Sequence, residues 1–92
     1  MNRSELERAY KDLGNQLSKM YPDKNLQNHC YWRISLDNII GAKWNTKISS
    51  PAYKNLTDEQ LIKVVRLLQS YIKDEEQLEK DNYQSLIYRK KV

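Results

Sequence analysis

The sequence predicts an all-α protein: a compact three- or four-helix bundle with a long packed loop between the second and third helices. Apolar residues recur three and four apart through most of the chain, which is the period of a helix with one buried face. Helix-capping signatures punctuate those stretches. Strand-like alternation is absent. Only ISLDNII at 34–40 resembles a strand, and its neighbours fit a helix better.

The first helix is expected to open on Ser4, with Glu7 completing a capping box in which each side chain satisfies a backbone N–H of the other. Leu6, Tyr10, Leu13, Leu17, Met20 and Tyr21 form its stripe, and Gly14 weakens its middle slightly. Pro22 disfavours helical geometry at Tyr21 and ends the element. The second helix is expected over 26–40, closed by Gly41 as a left-handed cap. Residues 42–56 form the longest connection, and one of that length is either packed down or functional.

Thr57 and Gln60 mark the third helix as a second capping box, with Leu56 and Leu61 as its hydrophobic staple. Leu61, Val64, Val65, Leu68, Tyr71 and Ile72 make the buried face. The stripe falters at Asp74, Glu75 and Glu76, then resumes at Leu78. Asp74 with Gln77 would cap a fourth helix; one long helix is the alternative.

At 92 residues the chain is expected to be a single domain, 1–92, with one modest core. Charged residues make up 30% and hydrophobic ones 39%, a polar balance that still carries enough Tyr, Trp, Leu and Ile to fold. Seven tyrosines and two tryptophans stand against no phenylalanine, so the large apolar faces carry polar tips suited to interfaces. A formal charge of +4 permits an acidic or nucleic-acid partner without demanding one. One cysteine excludes an internal disulfide, and MNRSELERAYKDLG lacks the apolar core of a signal peptide. No run approaches the roughly 20 apolar residues of a membrane helix. A soluble cytoplasmic protein without membrane contact is expected.

The most informative feature lies in the second helix. His29, Arg33 and Asp37 are four apart and stack on one ridge, and that ridge runs through the middle of the apolar arc. A charge on a core-facing ridge is costly unless it is answered. One reading pairs Arg33 with Asp37 inside a buried polar network. The other makes the ridge a recessed site where Arg33 grips a phosphate or carboxylate, oriented by Asp37 and assisted by His29.

Lys43, Trp44 and Lys47 form a basic and aromatic loop able to stack a base and neutralise phosphates, or to fold Trp44 back over the helices. Lys54, Lys63 and Arg66 would enlarge that positive patch if they lie nearby. Arg89, Lys90 and Lys91 complement a helix dipole or add phosphate contacts. His29 and Cys30 diverge by about 100° on a helix and make a poor base–nucleophile pair. Metal-ligand spacing and a glycine-rich phosphate loop are both lacking, so neither an enzyme nor a cofactor is expected. A helix-turn-helix fails because Gly41 to Leu56 is far longer than its turn. The expected function is a small non-catalytic binding module acting on a protein partner or on a second copy. The first alternative is a nucleic-acid binder of little sequence preference; the second is a binder of a small anion at the ridge.

Overall fold

Side-chain caps open three of the five helices, and they place the boundaries of the fold. The computed structural model describes residues 1–91. Helix α1 spans Arg3–Met20, α2 Asn28–Ile40, α3 Ala52–Asn55, α4 Asp58–Lys73 and α5 Glu75–Tyr88, with no strand among the described residues.

Helix α1 starts earlier than the Ser4–Glu7 box predicts. Asn2 Oδ1 accepts from the Glu5 N–H at 2.9 Å, and the Glu5 carboxylate reaches back to the Asn2 N–H at 3.5 Å. Asparagine caps as well as serine. Glu7 is engaged elsewhere, accepting from Arg3 Nε and from Lys54 Nζ, both at 3.0 Å. A 3₁₀ turn over Pro22–Lys24 follows, ending at Asn25 with φ +55°.

Helix α2 starts two residues later than expected, with Leu26 packing on the core from outside it. Gly41 ends it at φ +80°, donating its N–H to Asp37 O at 2.8 Å. Only glycine adopts that conformation without cost.

The connection that follows is not a plain loop. It holds a 3₁₀ turn over Trp44–Thr46 and the single-turn helix α3, whose Ala52 is buried. Leu56 is buried directly after it, at 4% exposure. Arg3 anchors this segment, donating to Tyr53 O at 2.8 Å and to Asp58 Oδ1 at 2.7 Å.

The Thr57–Gln60 box forms in both directions, at 3.1 and 2.9 Å. Of the two readings for the last third, the break occurs. Asp74 leaves helical geometry at φ −134°, and its carboxylate caps α5 through the Gln77 N–H at 3.0 Å.

Leu6, Leu13 and Leu17 of α1 meet Ile34 of α2 and Leu61, Val64 and Leu68 of α4 in one core, to which α5 adds Leu78. Each fully buried leucine contributes about 2 kcal/mol. The radius of gyration is 12.2 Å, matching the roughly 12 Å of a compact chain this long. No helix among the described residues is long and apolar enough to cross a membrane.

Candidate binding cleft and its polar ridge

Helix α1, helix α2 and the connection wall a cleft of about 400 Å³. Tyr10, Lys11 and Asn15 line it from α1; Asn28, His29, Trp32, Arg33 and Leu36 from α2; Trp44 and Ser50 to Tyr53 from the connection. No carboxylate is among the lining side chains.

Trp32 organises the floor. Its ring stacks on Tyr10 at 5.3 Å and 13°, and its Nε1 donates to Tyr10 O at 2.8 Å. That approach depends on Gly14, where a Cβ would lie 2.2 Å from Trp32 Nε1. Gly14 is therefore a packing requirement rather than a weak point in α1. Tyr53 tilts against Tyr10 at 5.7 Å, with Lys11 Nζ 4.6 Å above the Tyr53 ring.

The ridge grades from solvent to core. His29 is exposed at the cleft rim, Arg33 is half-buried, and Asp37 is fully buried. The anticipated Arg33–Asp37 pair does not form. Asp37 is answered by Arg89, whose Nε and Nη2 donate at 2.7 and 3.1 Å. Ser85 Oγ donates to it at 2.6 Å and the Trp44 N–H at 2.9 Å, which gives the carboxylate four donors. Asp37 thus ties α2, the connection and α5 together.

Among the described residues Arg33 has only neutral oxygens for partners. It donates to Asn82 Oδ1 at 2.9 Å and distantly to Ser85 Oγ at 3.4 Å. Among the described residues no carboxylate lies within ion-pairing distance of it. Burial lowers its pKa from the ordinary arginine value, and the nearby Arg89 charge pushes the same way. The guanidinium still keeps its proton.

The remaining sequence candidates scatter. Lys43 and Lys47 are exposed on either side of the Trp44 turn, while Trp44 itself is half-buried against the core and lines the cleft. Lys54 pairs with Glu7, and Lys63 with Glu59 at 3.5 Å. Arg66 is exposed on α4, a helix that contributes nothing to the cleft. Lys90 and Lys91 are exposed at the end of the described chain. Arg89 is no outward phosphate contact, because its charge faces Asp37 at the inner end of the ridge.

Tyr10, Lys11, Asn15, Asn28 and Tyr53 were not candidates from sequence. Tyr10 reads as core and Lys11 as solvated face when α1 is taken alone; the pairing with a segment some 40 positions on gives them a shared cleft. Among the described residues no three His, Cys, Asp or Glu side chains gather as a metal would need. Compared with known families, curated proteins and solved structures, the chain shows no match.

Proposed function

We propose that this chain is a non-catalytic binding module whose working surface is the cleft and whose guest carries negative charge. The four longer helices act as the bundle that holds the walls. The observation that carries this reading is Arg33, half-buried beside the cleft with only neutral partners among the described residues. Lys11 and His29 line the same cleft, and no lining carboxylate competes for them. A cleft of this size suits a small guest, and guanidinium groups recognise carboxylates and phosphates in two-pronged fashion. The engagement of Lys54, Lys63 and Arg89 in ion pairs favours a compact guest over a long track of phosphates.

NMR titration of the labelled protein with acetate, citrate and inorganic phosphate tests the reading. Saturable shifts are expected in amides of 10–15, 28–36 and 44–53, weakened at least tenfold in affinity by Arg33→Gln. Absence of any saturable shift, in a variant and parent of equal circular dichroism, overturns it.

A second reading rests on α5, where Tyr83 and Ile87 lie one turn apart and are 59% and 42% exposed. Self-association through this pair predicts a sedimentation mass that rises with concentration and reverts in Tyr83→Lys. A monomer at every concentration tested removes it.

A further inference from the structure

Resting on the anionic-guest reading, we infer that the anion is attached to a flat aromatic ring, so that the cleft receives a nucleobase bearing a phosphate. Four aromatic side chains shape the cleft, and Tyr10 and Trp32 already form a two-ring stack on one side of it. Trp44 and Tyr53 come from the connection, Tyr53 tilting against Tyr10 at 5.7 Å. Flat heteroaromatic guests gain about tenfold or more in affinity from each such stacking contact.

Charge removes the main rival for an aromatic cleft. Cages for ammonium groups present open ring faces to a cation. Here Lys11 Nζ already sits over Tyr53, and Lys11 and Arg33 repel a second positive charge. A neutral proline-rich segment would fill the aromatic walls but leave Arg33 unanswered. The amides supply the last element: Asn28 Nδ2 donates to Asn15 Oδ1 at 2.7 Å, which orients both and leaves the Asn15 NH₂ to a base edge. One guest satisfies ring, anion and amide together. It is a nucleotide, either a single molecule or the phosphorylated end of a strand.

Both tryptophans of the chain line this cleft, so intrinsic fluorescence reports on it directly. The full chain is titrated with AMP, UMP, adenosine, inorganic phosphate, a 5′-phosphorylated oligothymidylate and an uncharged proline-rich peptide. Saturable quenching by AMP or UMP is expected, at least tenfold tighter than by adenosine or phosphate alone. Arg33→Gln and the exposed-site double variant Lys11→Gln/His29→Gln should each weaken it tenfold or more; the double variant keeps the core intact. An oligothymidylate bound tenfold tighter than UMP assigns the guest to a strand end, and equal affinity assigns it to the single nucleotide. Phosphate as tight as AMP overturns the ring while leaving the anionic reading in place. Adenosine as tight as AMP overturns both, as does silence from every nucleotide. A proline-rich peptide that binds more tightly than AMP also ends the nucleotide assignment.

Discussion

Helix α1 meets α4 through leucine and valine, whereas α2 meets α5 largely through hydrogen bonds. In the first contact the polar bonds sit at the ends, Arg3 to Asp58 and Tyr21 Oη to Tyr71 O. In the second they run through the middle: Arg33 to Asn82, Asn38 to Asp81 O, and Ser85 and Arg89 to Asp37. An apolar face tolerates small slides, because burial has no direction. A buried carboxylate with four donors tolerates almost none, since each displaced donor leaves an unmet charge. Helix α5, with Leu78 as its one buried large apolar residue, is held in register by polar geometry.

Breaking that geometry should give the largest effect. Arg89→Ala leaves Asp37 buried with only Ser85 and Trp44 as donors, and should cost about 3–5 kcal/mol. Arg33→Ala, four residues from Asp37 on the same helix, should cost only about 1 kcal/mol, because its bonds go to neutral oxygens. Replacing Asp37 and Arg89 together by leucine should cost less than Arg89→Ala alone. Denaturant midpoints of the three variants decide the matter. Equal losses at Arg33 and Arg89 would mean that the two arginines share Asp37 and that α2 and α5 are not held as described.

That contrast also shows what periodicity can and cannot read. The inward phase of 33 and 37 follows from spacing on one helix, and so does the choice of Arg33 as nearest partner. His29, expected on the same inward ridge, is exposed because it lies in the first turn of α2, at the cleft rim. Arg89 is 52 positions further along than Asp37, and no local pattern links them. Caps such as Thr57–Gln60, Asp74–Gln77 and Gly41 were legible because both partners lie within a turn. The N-terminus carried two overlapping boxes, Asn2–Glu5 and Ser4–Glu7, and a tertiary contact from Lys54 to Glu7 favours the first. The cleft was least legible, because its walls come from three separated segments. Of its lining residues only Trp44, His29 and Arg33 are marked in the sequence by their own chemistry.

Gly14 sharpens the comparison on the apolar side. Alanine is the better helix former by about 1 kcal/mol. A methyl group there, however, would displace Trp32 from Tyr10 and from its bond to Tyr10 O. Overpacking of this kind costs about 1–3 kcal/mol, so Gly14→Ala should be destabilising by about 2 kcal/mol once the lost hydrogen bond is included. Its tryptophan fluorescence should shift towards that of exposed indole. Stabilisation by the substitution would show that the Tyr10–Trp32 stack moves without penalty.

Two tyrosines give the smallest effects and separate the polar contact from the apolar one. Tyr71 and Tyr31 are both fully buried, but Tyr71 donates to Asp81 Oδ2 at 2.6 Å while Tyr31 Oη has no partner among the described residues. Burial, helped by the Asp81 contact, raises the Tyr71 phenol above its ordinary value, and burial raises Tyr31 likewise. Unfolded phenols ionise near pH 10, about where the unfolded state begins to release protons that the fold retains. Stability should therefore hold below about pH 10 and fall above it, by about 1.4 kcal/mol per pH unit for each such phenol. Tyr71→Phe should cost about 1.5 kcal/mol at neutral pH and make the alkaline loss shallower by one phenol. Tyr31→Phe removes a hydroxyl that was desolvated without compensation, so it should stabilise the fold by up to about 1 kcal/mol. If Tyr31→Phe destabilises instead, that hydroxyl has a buried water as its partner and the apolar side of the molecule is wetter than its leucines imply.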